Sequence, residues 1–410
     1  MQNLVTIKPN QKHSKRGRFG MESTVVDESK SDTTLCSISD FRVMVINPPQ
    51  AFSKFEVAAG ISPPLNVMYL GAVCERKGYQ IKCLDALVEA PAQVTELKPT
   101  YCARSLKYDE IVGRIDPATH VVGITNLFSV AFPIVLDLTK HIRADYPHIK
   151  IVVGGAHPSG TPKETLKHPS IDFVILSEGE DTFIELCESI RTNHYENLPA
   201  MDGIAFRKGE EIIVKPKTKF NQNLDAMPFP ARHLLPHNRY SELHEAHGPT
   251  QAKYTTMLSS RGCPYRCTFC TPQLWNFSWR IRSAQNVVDE MEFCVKEYGV
   301  TEFHFEDENL TIDKRRILEM CNEIKRRGLK VKWQTPNGIR ASVTDFEMLK
   351  AMKDSGCYHI TVAPESGSQR VLKDIVQKTQ KLEQVNLVIE RASKLGINVA
   401  AYMMLGLPGE

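Results

Sequence analysis

Three of the eleven cysteines, Cys263, Cys267 and Cys270, fall within eight residues in the segment RGCPYRCTFC. The spacing C-x3-C-x2-C puts three thiolates on one short loop. They can hold three irons of a 4Fe–4S cluster and leave the fourth iron without a protein ligand. Zinc is the rival occupant. A structural zinc site wants four ligands in a closed tetrahedron, and no further Cys or His follows at finger-like spacing, although His304 stands on the next strand. Three unrelated buried cysteines are a weaker reading, because Gly262, Pro264 and polar neighbours mark a loop. The other eight cysteines stand singly. An odd total in a long chain whose N-terminus lacks a signal-peptide core reads as reduced thiols in the cytoplasm, not as a disulfide framework. His244 and His247 lie three apart with no further ligand nearby, a poor metal pattern.

The elements that must position the loop follow from hydrophobic periodicity. TTMLSS (255–260) reads as a strand entering it. Helical patterns over 284–298, 313–327, 344–354 and 381–395 then alternate with strands over 301–307, 330–335, 358–363 and 397–405. Right-handed crossovers would wrap these five strands into a complete or partial barrel. The fifth strand runs straight into LGLPGE (405–410), so the sequence reads as a fragment, with an unpaired strand edge that would aggregate and leave it short of self-sufficient catalysis.

An earlier series shows the same alternation. FRVMVINPP (41–49), YQIKCLD (79–85), HVVGIT (120–125), IKIVVGG (149–155) and IDFVIL (171–176) read as strands. Helical patterns over 65–77, 131–146 and 180–191 separate or follow them, which predicts a parallel, doubly wound sheet. In such sheets ligands bind outside the carboxyl ends of the strands. That groups Asn47–Pro49, Thr125, Asn126, Gly154–His157 and Ser177–Glu180 around one crevice. Helix capping is the plainer role for Glu178 and Glu180. Residues 200–219 read as a hairpin turning at Lys208–Gly209, and 221–250 as a linker.

The cysteine loop at the end of a first barrel strand resembles the radical S-adenosylmethionine (SAM) enzymes over about residues 253–410. The order INPP, PPLNVMYLGAVCERKGY, VVGGAHPSG and SEGE resembles the cobalamin-binding domain of the cobalamin-dependent members. Polar composition without periodicity makes residues 1–39 a disordered extension, with 196–252 as hairpin and linker. The resemblance implies 40–195 as a Rossmann-like cobalamin domain and 253–410 as a partial TIM-like (βα)6 barrel, truncated after its fifth strand. It further implies that the open iron chelates SAM and that a deoxyadenosyl radical takes hydrogen from the substrate. Glu306 and Asp307 in FHFEDEN would meet the methionyl ammonium, with helix capping as the alternative. Arg340 would meet a carboxylate or the substrate, Glu365 and Ser366 the ribose, and Leu405 and Gly406 the adenine. Phe269 would pack near adenine or in the core, and Trp275 and Trp279 in the substrate cavity or, better, the core.

On the cobalamin side the resemblance implies contacts from Asn47, Pro49, Thr125, Asn126, Gly154, Gly155, His157, Glu178 and Gly179. The D-x-H-x-x-G pattern of histidine-ligated cobalt is absent after the first strand; His157-x-x-Gly160 carries only its second half, after the wrong strand. Cobalamin bound without a histidine is therefore expected, and a domain that binds no corrin stays open. A nucleotide cofactor fits less well without G-x-G-x-x-G after the first strand. The implied activity is methylation of an unactivated carbon in a small molecule. A radical cyclase, mutase or oxidoreductase and a non-catalytic corrin-binding module are the alternatives.

Composition sets outer bounds. At roughly 150 residues per domain the length suits two or three domains. Hydrophobic residues at 42% and charged residues at 24% are ordinary for a globular chain. A net charge of +3 gives no argument for nucleic acid or an acidic membrane surface, and no apolar run is long enough to span a bilayer. The basic cluster Lys15, Arg16 and Arg18 reads as solvated tail. The expected partners are a small-molecule substrate and an electron donor such as flavodoxin or ferredoxin.

Overall fold

Strand β1 (Arg42–Asn47) alternates its side chains between two buried faces, which is why RVMVIN reads as an almost unbroken apolar run. Val43 and Val45 pack with Val67 and Met68 of helix α1 (Leu65–Lys77) and Phe183 and Leu186 of helix α3 (Glu180–Arg191). Met44 and Ile46 pack on the other side with Val135, Leu138 and Ile142 of helix α2 (Phe132–Asp145). Each such side chain contributes about 1.5–3 kcal/mol by burial, so the alternation fixes which way the strand faces. The computed structural model describes residues 36–55 and 60–410, all within one compact unit.

The remaining strands are β2 (Gln80–Asp85), β3 (Val121–Thr125), β4 (Lys150–Gly154), β5 (Phe173–Ile175), β6 (Ile204–Lys208) and β7 (Glu211–Lys215). Their spatial order is β7-β6-β5-β4-β3-β1-β2, parallel from β2 through to β5. The doubly wound sheet is therefore as expected, and the order reverses between β1 and β3, which opens a crevice at their carboxyl ends. The hairpin β6–β7 does not stand apart: it adds two antiparallel strands beside β5. A three-stranded antiparallel sheet (Gln50–Ser53, Val94–Lys98, Tyr101–Arg104) has no counterpart in the sequence reading. Its strands are four or five residues long and their burial is weak, so no strong periodicity marks them.

The second sheet is parallel throughout: β8 (Tyr254–Met257), β9 (Glu302–Phe305), β10 (Lys332–Ile339), β11 (Cys357–Glu365) and β12 (Asn398–Met403), in that order. Helices α4 (Ala284–Tyr298), α5 (Lys314–Arg326), α6 (Phe346–Asp354) and α7 (Leu382–Lys394) are its crossovers, and they share one apolar core with the strands. Ser283, Asp313 and Asp345 cap α4, α5 and α6 with side-chain oxygens, each worth about 1 kcal/mol. Among the described residues five strands form an open sheet, the number read from the sequence for a partial barrel. The strand entering the cysteine loop ends at Met257. Ser260–Arg261 instead pairs with Arg280–Ile281 as a two-stranded ribbon at the base of the loop.

Two expectations about the connecting segments change. Residues 1–35 of the expected extension lie outside the described residues, but Cys36 already packs against the first core and its carbonyl accepts a hydrogen bond from Arg191 Nη1 at 2.5 Å. The expected linker is largely internal. Arg232 is fully buried and donates to Thr255 Oγ1 (3.0 Å), the Thr256 carbonyl (2.8 Å) and Glu290 (2.6 Å). Tyr240 donates to Asp85 at 2.7 Å. From β8, Tyr254 and Thr256 donate to the carbonyls of Ile61 and Pro63. The two sheets are thus joined by buried polar contacts as well as by the chain. Among the described residues no helix is long and apolar enough to cross a membrane.

Candidate active site

The cysteine loop is held at both ends and in the middle. Gly262 adopts φ +84°, and a Cβ there would collide with the Ser278 carbonyl, so the turn into Cys263 needs glycine. Tyr265 lies under the Arg340 guanidinium, 3.5 Å from ring centre to Cζ. Thr268 donates through its backbone N–H to the Val376 carbonyl (3.0 Å) and through its hydroxyl to the Ile375 carbonyl (2.8 Å), at the end of the π-helical turn Val371–Ile375. Cys263 and Cys267 are half-buried and Cys270 is exposed. Burial raises all three thiols, while Lys378 and Arg340 pull Cys267 back toward the thiolate.

The donor set suits a cluster with one open iron. Zinc would need a fourth ligand, and His304 is committed elsewhere: it is buried, hydrogen-bonded to Glu302 (2.8 Å) and Gln334 (2.9 Å), and stacked on Tyr254. Among the described residues no three His, Cys, Asp or Glu side chains are arranged around a single-ion position. His247 is likewise spent: its Nδ1 pairs with Glu306 at 3.3 Å and its Nε2 meets Tyr402 at 3.2 Å.

The three carboxylates after β9 have separate fates. Asp307 is buried and accepts hydrogen bonds from the Ser259 N–H (3.0 Å), the Ser259 hydroxyl (2.7 Å) and the Ser260 hydroxyl, so it braces the approach to the loop and has no face left for an ammonium. Glu306 is half-buried; its Oε2 faces His247 and its Oε1 is buried with no partner. Glu308, absent from the sequence expectations, accepts a hydrogen bond from the Gly262 N–H at 3.1 Å and opens on a cavity beside the loop. Its side chain is exposed, but to that cavity; surrounding protein and Asp307 push its carboxyl up to about 7. The available signal was the third acid of FEDEN.

Arg340 does not reach freely into a site. It is buried, donates to Ser342 (3.0 Å) and Thr379 (2.7 Å to the hydroxyl), and stacks on Tyr265. Glu365 sits at φ +66° with its carboxylate on Lys378 at 2.8 Å. Ser366 donates to Glu410 at 3.3 Å, and Glu410 also receives the Gly406 N–H at 3.0 Å, which ties the segments after β11 and β12 together. Phe269 is 45% and Leu405 91% exposed, so neither is core. Trp275 lines the cavity; Trp279 does not, and its indole N–H is buried without a partner.

The cavity, of about 210 Å³, lies at the carboxyl ends of β3, β4 and β5. Thr125, Gly154, Gly155, Glu178 and Gly179 of the expected residues line it. Gly155 has φ +121°, and its Cα lies so close to the Asn126 carbonyl that a Cβ would stand 2.5 Å from the oxygen. Gly154 has no such constraint. Asn126 is buried with its Oδ1 unpartnered, a free acceptor beside the crevice. Leu127, Phe128 and Val130 in the following loop are all exposed. A flat, largely apolar group with polar edges fits these features, and the residues suit a corrin. Asn47 and Pro49 are outside the lining; Asn47 donates to Asp85 (3.0 Å) and accepts from Thr125 (3.2 Å). His157 is also outside it: its ring nitrogens meet Ser129 (2.9 Å) and Thr161 (3.4 Å), and no histidine among the described residues lines the cavity.

Residues 55–187 match the B12 binding domain family and residues 257–410 the Radical SAM superfamily. The chain is 32% identical over 394 residues to cytidylyl-2-hydroxyethylphosphonate methyltransferase of Streptomyces wedmorensis, covering 90% of this chain and 73% of that protein. It is 28% identical over 381 residues to the anaerobic magnesium-protoporphyrin IX monomethyl ester cyclase of Cereibacter sphaeroides, covering 90% of this chain and 57% of that one. The cobalamin-dependent S-adenosylmethionine radical enzyme OxsB, solved with aqua-cobalamin and S-adenosylmethionine bound, superposes with a TM-score of 0.70 at 22% identity, covering 90% of this chain and 51% of that one. With a corrin-type crevice walled in part by Trp275 and Glu308 from beside the three-cysteine loop, and with a methyltransferase relative matched over 90% of this chain and 73% of its own, the chain belongs to the cobalamin-dependent radical S-adenosylmethionine enzymes.

Proposed function

We propose that the protein is a methyltransferase that places a methyl group on an unactivated carbon of a small molecule. One observation carries the reading: Thr125, Gly155 and Ser177 from the first sheet and Trp275 and Glu308 from beside the cysteine loop form walls of the same cavity. A corrin and a SAM-loaded cluster would there face one substrate. Bound together, these groups supply a carbon-centred radical and a transferable methyl group.

The chain's own part is holding and excluding. Cys263, Cys267 and Cys270 ligate the cluster. Glu308 takes the methionyl ammonium, in place of Glu306 and Asp307, because it is the acid whose carboxylate opens on the cavity. An ammonium there would also favour its ionised form. Glu306, Glu365, Ser366, Leu405, Gly406 and Phe269 flank the rest of SAM, and Arg340 steadies the loop through Tyr265. Thr125, Asn126, Gly154 and Gly155 cradle the corrin, with Leu127 and Phe128 covering its apolar edge. The reduced thiols fit a cytoplasmic enzyme fed electrons by a flavodoxin- or ferredoxin-type donor, and nucleic acid has no part in the reading.

The test is anaerobic reconstitution with iron, sulfide and cobalamin, then SAM carrying a deuterated methyl group and a substrate panel led by nucleotidyl-linked phosphonates, the class named for the Streptomyces relative. Deoxyadenosine together with deuterated product is expected. Cys263→Ala, Cys267→Ala and Cys270→Ala should each lose both, whereas Cys294→Ala, a buried core filler, should be mild. Deoxyadenosine with an unlabelled, rearranged or oxidised product would replace methyl transfer by another radical outcome.

A further inference from the structure

Two arginines at the base of the cysteine loop reach across to the first sheet. Arg261 stands two residues before Cys263, and Arg280 pairs with it across the short ribbon that closes the loop. Arg261 donates to Glu180 at 2.7 Å and lies 3.6 Å from Glu178. Arg280 forms a bidentate pair with Glu178, one arm at 2.9 Å, and also donates to the Asn221 carbonyl at 2.9 Å. All four side chains are largely withdrawn from solvent, none more than 14% exposed. The two carboxylates flank Gly179 on the turn after β5, and that turn is itself constrained. Ser177 has φ +58°, its N–H donates to Ser159 Oγ at 2.7 Å, and Ser177 and Gly179 both line the cavity. Arg261 also covers the ring of Tyr69, a third cavity wall, at 4.8 Å.

We propose that Arg261, Arg280, Glu178 and Glu180 form a clamp that sets the position of the cluster-bearing loop relative to the cobalamin crevice, and that they act as positioning residues for methyl transfer. The inference rests on the proposed function. Docking of the two halves alone does not require the clamp, because Arg232–Glu290, Tyr240–Asp85, Tyr254–Ile61 and Thr256–Pro63 already join them. What the clamp adds is location: it ties the root of the loop directly to the wall of the crevice. Two charges of each sign, desolvated together, tolerate little displacement, since separating one pair leaves an uncompensated buried charge. Planar, forked guanidinium–carboxylate pairing also fixes angle as well as distance. This assigns Glu178 to the clamp in place of a direct cobalamin contact.

The test compares wild type with Glu180→Gln, Arg280→Lys and the exchanged pair Arg261→Glu/Glu180→Arg, all in the full chain reconstituted with cluster and cobalamin. Iron content and the visible cobalamin spectrum establish that both groups are loaded. The deciding readout is the electron-spin coupling between cob(II)alamin and the reduced cluster, which reports their separation without turnover. A broadened or shifted coupling is expected for the single variants. Methylated product per deoxyadenosine should fall roughly 10–100-fold, the scale of a misplacement near 1 Å. The exchanged pair should recover part of both. Unchanged coupling and an unchanged product ratio in loaded Glu180→Gln and Arg280→Lys would overturn the clamp. If Arg280→Lys fails to fold, Glu180→Gln alone decides. A wild-type protein that binds no cobalamin would instead overturn the proposed function, and wild type that cleaves SAM without methylating leaves the spin coupling able to judge the clamp.

Discussion

The guanidinium of Arg340 sits 3.5 Å above the ring of Tyr265, so the exit of β10 grips the middle of the cysteine loop. The stack desolvates a cation against an aromatic face, and Thr379 fixes the guanidinium from behind at 2.7 Å. Arg340→Met should lower the melting temperature modestly, by about 1–3 kcal/mol of stability. It should speed cluster loss to a chelator severalfold, followed by absorbance near the cluster band. Arg340→Lys should recover only part, since an ammonium neither stacks flat nor reaches Thr379 in two places.

Glu308 and Asp307 are neighbours with opposite duties. Glu308→Gln should leave the fold intact and weaken SAM binding roughly 10–100-fold, the cost of losing one charge-assisted hydrogen bond, measured by equilibrium dialysis on the reconstituted protein. Asp307→Asn should act on stability first, because the Ser259 and Ser260 donors lose their charged acceptor. Reversed behaviour of the two variants would return the ammonium role to Asp307.

Gly155→Ala should be costly out of proportion to one methyl group. The residue sits at φ +121° and the new Cβ meets the Asn126 carbonyl. About 1–3 kcal/mol of destabilisation follows from the backbone alone. Displacement of the Asn126 loop should also reduce cobalamin uptake. Gly154→Ala, with ordinary contacts to Ile175, should fold normally, and thermal melts of the two apo-proteins give the comparison.

Among the described residues no histidine lines the cavity, so the cob(II)alamin form should show no imidazole nitrogen splitting in its electron paramagnetic resonance spectrum. His157→Ala should leave that spectrum unchanged, because the ring is occupied with Ser129 and Thr161 outside the cavity. A nitrogen splitting lost in His157→Ala would refute the assignment.

His237 makes stability depend on pH. Its ring is buried against Tyr240 and Tyr298 with both nitrogens unpartnered, and burial together with the nearby Arg232 and Lys253 charges lowers its pKa to about 3. The unfolded chain, with an ordinary imidazole near 6.5, therefore binds more protons between these two values, so stability rises with pH there. The contribution is fully present above about 6.5 and is lost progressively as pH falls toward 3. His237→Phe should flatten the decline in melting temperature between pH 7 and pH 5 while leaving the value at pH 7.5 nearly unchanged or slightly raised.

Much of the molecule was legible along the chain because its determinants are local. Helix α1 runs from Leu65 to Lys77 and ends on Gly78 in the left-handed conformation, as its apolar face and glycine imply. The alternation of strand and helix yields the parallel part of the first sheet and the whole of the second, since each crossover must return on the same hand. The short antiparallel sheet stayed hidden because its strands are brief and only partly buried. Residues 221–250 read as a linker because proline interrupts regular elements and asparagine and histidine are polar; that Arg232 and Tyr240 are wholly buried depends on partners supplied by other elements.

By itself the sequence determined the two-part α/β architecture and the three-thiol loop, because covalent spacing of three to four residues already places cysteine sulfurs on one turn. Only the tertiary structure decided which charges are free and which are spent. Glu178 meets Arg280 across 102 positions and Glu180 meets Arg261 across 81, and no local pattern encodes such pairings. The same holds for Asp307 against Glu308, adjacent in sequence yet turned to opposite tasks, one closed by two serines and one open on the cavity. A side chain's chemistry is written in its type, but its availability is settled by what packs around it, and that is a property of the folded chain.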